Sequence, residues 1–297
     1  MSEQTPPVCS YEGSNYQRSF WEEGGRAYED AAEAIALKRL LPSKGELMLE
    51  LGAGAGRNTP RYRDFERVVL LDYSRTQLEQ ARERLGYTDR YLYVAADVYR
   101  LPFVDRLFDA ATMIRTLHHM AEPERALAQV RRVMTPAGVF ILEFANKRNL
   151  KAMLRYFLRK QDWSPYSQEP VEFAALNFDF HPKAVRRYLR EAGFKIEKQL
   201  TVSHFRVGFL KRHVLTKLLA ELDALLQWTG GLVQVSPSVF TRAVVDKEGS
   251  SALLDSFFQC PACGTALQGM EHALQCENCN ATWAYHDGIY DFRIQAQ

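Results

Sequence analysis

A glycine-rich turn early in the chain has the residue types that bind phosphate- or sugar-containing ligands. An apolar run of strand length leads into the alternating glycines Gly52, Gly54 and Gly56. Thr59 and Pro60 follow, which predicts a helix N-cap and a first helical residue. Such a turn lets polar ligand groups approach backbone amides and the positive end of a helix dipole. The pattern predicts a nucleotide-like cofactor at the carboxyl edge of a doubly wound sheet.

Two acids farther along lie where such a cofactor would be held. Asp72 ends a second predicted strand, 20 residues beyond Gly52, and a carboxylate there can accept hydrogen bonds from both ribose hydroxyls. Asp97 follows a third predicted strand, over 91–95. A dinucleotide fingerprint requires Gly or Ala at the sixth position counted from Gly52, where this chain has Arg57. The spacing therefore argues against a dinucleotide.

The residues from Glu50 to Gly56 resemble motif I of the class I S-adenosylmethionine (SAM) methyltransferases. Over about 46–145 the chain is similar to the type 11 methyltransferases and the ubiquinone/menaquinone C-methyltransferases, with strand-like continuation to about 246. The resemblance implies an α/β fold: a doubly wound, seven-stranded Rossmann-like sheet that binds SAM. The cofactor-binding residues that it implies are Glu50, Gly52, Gly54, Gly56, Asp72, Tyr73, Asp97 and Val98.

Four of the five cysteines form two Cys-x-x-Cys pairs, Cys260 with Cys263 and Cys276 with Cys279. Each pair turns two thiolates toward one point, which predicts a closed tetrahedral site for one structural zinc ion. Disulfides are the alternative, but the protein is expected in the cytoplasm, where they are rare. Thioredoxin-like chemistry needs a single pair at a helix start. The segment is too short to bury much core, so metal binding would supply its folding energy.

The tail after the cysteines carries a second resemblance. Residues 282–292, with the turn Asp287-Gly288-Ile289, resemble the end of the small zinc-ribbon proteins that activate methyltransferases. Those partners serve tRNA, rRNA and release-factor methyltransferases. The resemblance covers about 257–293 and implies a zinc ribbon fused in cis to the methyltransferase domain. Zinc ribbons also occur as stabilising appendages.

Composition and charge restrict the class of protein. The chain has 297 residues, 46% of them hydrophobic, which is ordinary for a globular protein with a sizeable core. No apolar run reaches 18 residues and the first residues lack a signal-peptide pattern, so we expect a cytoplasmic protein without a transmembrane segment. Residues 146–217 hold 16 Lys/Arg against 6 Asp/Glu, a local net charge of +10. This excess indicates either an anionic partner or a solvated face of basic helices.

The sequence divides into an N-terminal arm and helix (1–45), a SAM-binding domain (46–248) and the ribbon (257–293). We expect residues 1–15 to be flexible and insertions at 147–181 and 203–235 to form a substrate lid. Both insertions carry apolar helical stripes, which are more often core than substrate pocket. A basic amphipathic lid would suit an amphiphilic acceptor or a peripheral membrane contact. The predicted substrate contacts are Phe157, Asn177, Asp179 and His181.

Two adjacent histidines are the candidate catalytic residues. His118 and His119 follow the fourth predicted strand, in the loop that faces the transferred methyl group in the resembling family. An imidazole titrates near neutral pH, so His119 is a candidate general base. A packing or hydrogen-bonding role is the alternative for both histidines.

Three functions remain open from the sequence. The first is methyl transfer from SAM to a small, partly apolar acceptor, such as a lipid or a quinone. The second is a tRNA or rRNA methyltransferase with a fused activator-like ribbon, which the local charge and the cysteines favour. The third is a SAM-binding scaffold that acts through the ribbon. The sequence does not determine the oligomeric state.

Overall fold

The computed structural model describes residues 6–246, 256–268 and 273–294. The described residues form one ten-stranded sheet and a separate hairpin. The strands of the sheet are β1 (Gly45–Leu51), β2 (Phe65–Asp72), β3 (Tyr91–Ala95), β4 (Phe108–Met113), β5 (Met134–Ala145), β8 (Phe194–Val202), β9 (Ser238–Val245), β10 (Leu274–Gln275), β11 (Thr282–His286) and β12 (Ile289–Asp291). The hairpin consists of β6 (Val171–Ala174) and β7 (Asn177–Asp179).

Seven strands form the predicted doubly wound core, in the order β3-β2-β1-β4-β5-β9-β8. The pairs among β1 to β5 are parallel, whereas β9 runs antiparallel to both β5 and β8. The order reverses between β1 and β4, and a sheet of this kind binds ligands outside the carboxyl ends of its strands at that point. The α/β fold and its seven strands are therefore confirmed.

Helices cover both faces of the sheet. On one face α3 and α5 pack against the sheet, while α1, α2 and α7 contribute to a separate apolar cluster on the other. The helices are α1 (Ala27–Leu40), α2 (Arg75–Leu85), α3 (Pro123–Val133), α4 (Leu150–Phe157), α5 (Pro182–Glu191), α6 (Gly208–His213) and α7 (Thr216–Leu226). No helix of the described residues is long and apolar enough to cross a bilayer.

The helix predicted after the glycine turn does not form. Residues Thr59–Arg61 make a single 3₁₀ turn, and the preceding Asn58 provides no side-chain cap. The Thr59 hydroxyl donates to the buried Glu50 carboxylate at 2.6 Å instead of capping an amide. Because β2 begins only four residues after this turn ends, at Phe65, the connection leaves no room for a helix. The cleft at this turn therefore lacks the helix dipole that the sequence suggested.

The ribbon extends the main sheet. Strand β12 pairs in parallel with β3, with Ile289 opposite Tyr93, and the Phe292 amide donates to the Ala95 carbonyl at 2.7 Å. Phe258 forms a bridge with Phe103 and packs on its ring, with the centroids 5.9 Å apart. Cys260, Cys276 and the buried aromatic residues of the ribbon belong to the same apolar cluster as α3 and β4. The apolar side chains of the ribbon therefore pack on the β3 side of the sheet and share its core.

Candidate cofactor and acceptor site

A partly enclosed cleft of about 970 Å³, including space open to solvent, lies at the carboxyl ends of β1 to β4. A concave site at the carboxyl ends of the strands is where open α/β sheets bind small ligands. The structure brings seven of the predicted site residues together in its lining. They are Gly52, Gly54, Asp72, Tyr73, Asp97, Val98 and His119.

The glycine turn presents bare backbone to this cleft. Gly52 has a φ of +67°, and its amide donates to the Leu71 carbonyl at 2.8 Å. A Cβ atom at Gly52 would lie 2.6 Å from the Thr116 methyl group, so only glycine fits. Gly54 also has a positive φ, +54°, but a Cβ there would meet nothing closer than the Gln77 amide oxygen at 3.9 Å. The space beside Gly54 is thus open to a ligand.

Asp72 is held in place by backbone amides. Its Oδ2 accepts from the Gly54 amide and its Oδ1 from the Ser74 amide, both at 2.8 Å. Asp97 accepts in the same way from the Tyr99 amide at 2.9 Å. Burial raises the pKa of the Asp72 and Asp97 carboxyls above their usual range. Since a carboxylate oxygen can accept more than one hydrogen bond, both acids keep acceptor capacity for hydroxyl or amino groups in the cleft.

An unpaired polar atom marks the wall between the glycine turn and α2. The Gln77 side chain lines the cleft, and its Nε2 donates to the Ser14 carbonyl at 3.0 Å. Its Oε1 is buried and has no hydrogen-bond partner among the described residues. A buried acceptor without a partner is costly, so this atom fits a ligand that carries a donor such as an amino group.

Two predicted cofactor residues do not line the cleft. Glu50 accepts from the hydroxyls of Thr59 and Tyr62, at 2.6 and 3.4 Å, and burial raises its pKa to about 7. At Gly56, which has a φ of +71°, a Cβ would lie 2.9 Å from the Leu85 side chain. Glu50 thus holds the residues after the turn, and Gly56 lets α2 approach it.

His119 lines the cleft beside the N-terminal arm. Its Nδ1 lies 3.0 Å from the Leu176 carbonyl, which can only accept, so Nδ1 carries the proton. Its Nε2 therefore accepts from the Tyr11 hydroxyl, at 3.2 Å. Burial lowers the pKa of His119, which keeps the ring neutral at pH 7. His118 packs against this ring with the centroids 3.9 Å apart and does not line the cleft. The pair therefore divides into one cleft residue and one packing residue.

The N-terminal arm, expected to be flexible, lies over the cleft from residue 8 onward. The Glu12 carboxylate accepts from the Arg75 amide at 2.9 Å and from the Thr76 hydroxyl at 2.6 Å, at the start of α2. Arg293, directly after the ribbon strands, donates to the same carboxylate at 3.1 Å. This clasp of Glu12 and Arg293 joins the arm to the ribbon. Residues 1–5 lie outside the described residues.

Aromatic and cationic side chains line the cleft near His119, and we call this part of the lining the acceptor side. Tyr16 and Trp21 of the arm line the cleft together with Arg57 and Arg115. The Arg57 guanidinium lies over the Trp21 ring, 3.5 Å from its centroid, and both arginines pair with the buried Glu33. These pairs hold the pKa of Glu33 at about 2. One signal was present in the sequence, since Arg57 directly follows the last glycine of the turn.

The predicted substrate contacts of the insertions do not line the cleft. Phe157 is 82% exposed at the end of α4. His181 is buried and caps α5, where its Nδ1 accepts from the Lys183 amide at 3.1 Å, and burial lowers its pKa to about 4. The side-chain amide of Asn177 donates to the Ala175 carbonyl at 2.8 Å within the hairpin. Asp179 is partly buried near Arg206, and desolvation raises its pKa to about 6. The pattern of hydrophobic and polar residues in the sequence did not show which of these four residues lie away from the cleft wall.

The four ribbon cysteines meet at one point. Their sulfur atoms all lie within 4.8 Å of one another, with Cys263 and Cys276 at 3.4 Å and Cys260 and Cys279 at 3.6 Å. These distances are far longer than a disulfide and bracket the edge of about 3.8 Å of a tetrahedron with 2.3 Å zinc–sulfur bonds. The donor set and its spacing fit one zinc ion.

The two cysteine pairs share one backbone form. The Gly264 amide donates to the Cys260 carbonyl, and the Asn280 amide donates to the Cys276 carbonyl, both at 2.8 Å. Gly264 and Asn280 each adopt the left-handed conformation, with φ of +78° and +58°, which these two residue types tolerate best. The residue that follows the second cysteine of each pair thus permits the turn that brings the sulfur atoms together.

Comparison with known proteins agrees with this geometry. Residues 49–142 match the methyltransferase domain family. The demethylmenaquinone methyltransferase of Clavibacter sepedonicus is 37% identical over 110 residues, which are 36% of this chain and 45% of that protein. The ubiquinone/menaquinone biosynthesis C-methyltransferase UbiE of Enterobacter sp. (strain 638) is 34% identical over 34% of this chain and 44% of that protein. The chain thus spans a little under half the length of these relatives.

Solved structures share the fold. A chain from the complex between the Haloferax volcanii Trm112 methyltransferase activator and a methyltransferase aligns with a TM-score of 0.55 and 17% identity, over 78% of this chain and 96% of that one. An S-adenosylmethionine dependent methyltransferase of Listeria monocytogenes aligns with a TM-score of 0.53 and 15% identity, over 75% and 99% of the two chains. The family match and the shared fold identify residues 49–142 as a methyltransferase domain.

Proposed function

We propose that this protein transfers a methyl group from SAM to a small, partly apolar acceptor of the quinol or lipid type, in the cytoplasm. The observation that carries the proposal is that the glycine turn, Asp72, Asp97 and His119 line one cleft. The carboxylates of Asp72 and Asp97 would accept from ribose hydroxyls and the adenine amino group. The Gln77 oxygen would accept from the amino group of the methionine part. Bound SAM supplies an electrophilic methyl group.

The residues on the acceptor side position a ring and remove a proton. Tyr11, Tyr16 and Trp21 offer flat apolar faces, which suit an aromatic acceptor. The Nε2 lone pair of His119 can take the proton of an acceptor hydroxyl, in the place where Tyr11 now donates. The arm excludes water from the cleft, and in-line transfer depends chiefly on holding the two partners in position.

Cofactor identity is tested by calorimetry with SAM and NAD. Asp72→Ala should weaken SAM binding by more than about tenfold, because it removes a bidentate acceptor and frees the Gly54 amide. Asp105→Ala is a matched control, since Asp105 is an exposed carboxylate that pairs with Arg132 outside the cleft. Binding of NAD, or an unchanged SAM affinity in Asp72→Ala, would contradict the assignment.

The base is tested by the pH dependence of turnover. Because burial lowers the pKa of His119, the neutral form prevails above about pH 6.5, and turnover should fall only at lower pH. His119→Asn should abolish this acid limb and reduce kcat by roughly 100-fold. Tyr11→Phe removes the partner hydroxyl but not the base, and should retain the limb. If the acid limb persists in His119→Asn, another group acts as the base.

A second candidate is RNA methylation, which the ribbon favours. One structural neighbour is a complex with a methyltransferase activator, and we propose that the ribbon here binds one structural zinc ion through its four cysteines. Cell extract incubated with isotope-labelled methyl-SAM and fractionated into lipid, small-molecule and RNA pools separates the candidates. Label in the lipid or small-molecule pool supports our proposal, and label in RNA supports the second. Tight SAM binding without label in any pool would indicate a scaffold.

A further inference from the structure

Helix α4 is almost unpacked on the protein. Of its eight residues, all of them described, Ala152 alone is buried. Its apolar side chains Leu150, Leu154 and Phe157 are exposed, as is the following Leu158. A helix this short is unstable in water without packing, and large apolar groups in solvent are unfavourable. Among the residues that the structure describes, the exposed face of α4 therefore has no partner that buries it.

A second exposed apolar segment adjoins the first turn of α4. The Leu150 amide donates to the Val235 carbonyl at 2.8 Å, so the segment before β9 meets the first turn of α4. Leu232, which is 92% exposed, and Val233 lie within three residues of that contact. We call the exposed apolar side chains of these two segments the α4 surface. Its members are Leu150, Leu154, Tyr156, Phe157, Leu158, Leu232 and Val233.

The charged residues along α4 have one sign. Lys151, Arg155, Arg159 and Lys160 are exposed on α4 and directly after it. No acid occurs between residues 147 and 161. A short amphipathic helix with exposed leucines and phenylalanine among basic residues has the composition of a segment that lies in the interface of an anionic bilayer.

We propose that the α4 surface docks the protein on an anionic lipid bilayer. Insertion of Leu154 and Phe157 would bury apolar area, while Arg155 and Arg159 contact lipid phosphates. RNA is disfavoured because the aliphatic members of the surface can neither stack on bases nor pair with phosphates. A second copy is disfavoured because an isologous contact would bring two basic clusters face to face.

The α4 surface lies at the same edge of the sheet as the cleft. Helix α4 follows the carboxyl end of β5, and the segment of Leu232 precedes the antiparallel β9, so both lie at the same edge of the sheet as the cleft. A protein docked through this edge turns the cleft toward the bilayer. The binding itself requires neither SAM nor an acceptor, so it is tested independently of the proposed function.

The test is sedimentation of the full chain with phosphatidylglycerol vesicles and with phosphatidylcholine vesicles. The protein should bind the anionic vesicles at least about tenfold more tightly. The pair Leu154→Asp and Phe157→Asp should reduce this binding by roughly tenfold or more, and so should Arg155→Glu with Arg159→Glu. Lys38→Glu with Lys44→Glu is the matched control, because it reverses two exposed charges near the amino end of β1, at the opposite edge. This control should bind within about twofold of the original chain.

Three outcomes would overturn the proposal. One is equal binding of the control and the arginine pair, which would indicate attraction by net charge alone. Another is a dimer in solution that Phe157→Asp dissociates, which would assign the surface to a second copy. The third is salt-sensitive binding of single-stranded RNA, lost in the arginine pair, with no vesicle binding.

Discussion

The glycine turn and Asp72 come from one short stretch of the chain, whereas the acceptor side combines side chains from distant parts of it. Gly52, Gly54 and the amide-held Asp72 lie within one β-turn-β unit. The acceptor side combines Trp21 of the arm with Arg115, which follows β4. A site made by one local unit leaves a local pattern in the sequence. A site assembled from separate elements leaves none, and the two sides should also respond differently to substitution.

The largest effect is expected at the glycine turn. Gly52→Ala forces a left-handed residue and a collision with Thr116, so SAM affinity should fall by roughly 100-fold in calorimetry. Gly86→Ala is a matched control, since Gly86 has a φ of +84° but no atom within 4 Å of the added Cβ. It should lower stability slightly and leave SAM affinity unchanged. Equal losses in both variants would mean that strain, and not the shape of the turn, controls binding.

The ribbon should affect the cofactor side through the clasp. Cys276→Ser removes one zinc ligand, and elemental analysis should show zinc falling from one ion per chain toward zero. Because β12 pairs with β3 and Arg293 holds the arm, SAM affinity should fall by roughly tenfold. Arg293→Ala should keep the zinc and show a smaller loss of affinity. If Cys276→Ser loses zinc but keeps full SAM affinity, the ribbon is energetically independent of the cleft.

Glu50 should influence stability but not binding. Burial raises the pKa of Glu50 above the ordinary 4.5 to about 7, so the folded state favours the protonated acid. The contribution of Glu50 to the free energy of unfolding is therefore full below about pH 4.5 and is lost as the pH rises through about 7. Glu50→Gln keeps an acceptor for Thr59 without the charge, so its Tm advantage over the original chain should increase from pH 5 to pH 8. SAM affinity should stay within about twofold. A large loss of affinity would return Glu50 to the cofactor site.

The smallest effect is expected on the lid. Phe157 is exposed and absent from the cleft, so Phe157→Asp should leave SAM affinity and the turnover of a water-dispersed acceptor unchanged within about twofold. Methyl transfer measured in detergent-free buffer checks this. Loss of turnover in solution would show that α4 closes over the cleft during the reaction, as the sequence alone suggested.

The sequence predicted those parts of the molecule in which a residue type has a single common structural role. Glycines with positive φ, an acid at the end of a strand and paired cysteines each have few alternatives, and the sheet order followed from the resemblance they supported. Such signals are local, so they can be recognised without knowledge of the tertiary fold.

Predictions from hydrophobic pattern alone failed on the acceptor side. The apolar stripe of α4 was compatible with a core helix or with a substrate lid, because periodicity shows only which face is apolar and not what covers it. The arm failed for the opposite reason. Its polar residues resemble a disordered segment, but Glu12 finds amide and guanidinium partners 60 and more residues away. Contacts of this kind depend on the completed fold.

The parallel pairing of β12 with β3 also affects how the protein behaves on dilution. In a complex of two chains, the paired fraction depends on concentration and falls as the solution is diluted. Here both strands belong to one polypeptide, so one strand meets the other at a fixed effective concentration, of millimolar order for a short linker. The pairing should therefore be equally complete in a dilute assay and in a crowded cell. The pairing also covers the edge of β3. An uncovered edge would be a template for intermolecular strand addition and aggregation.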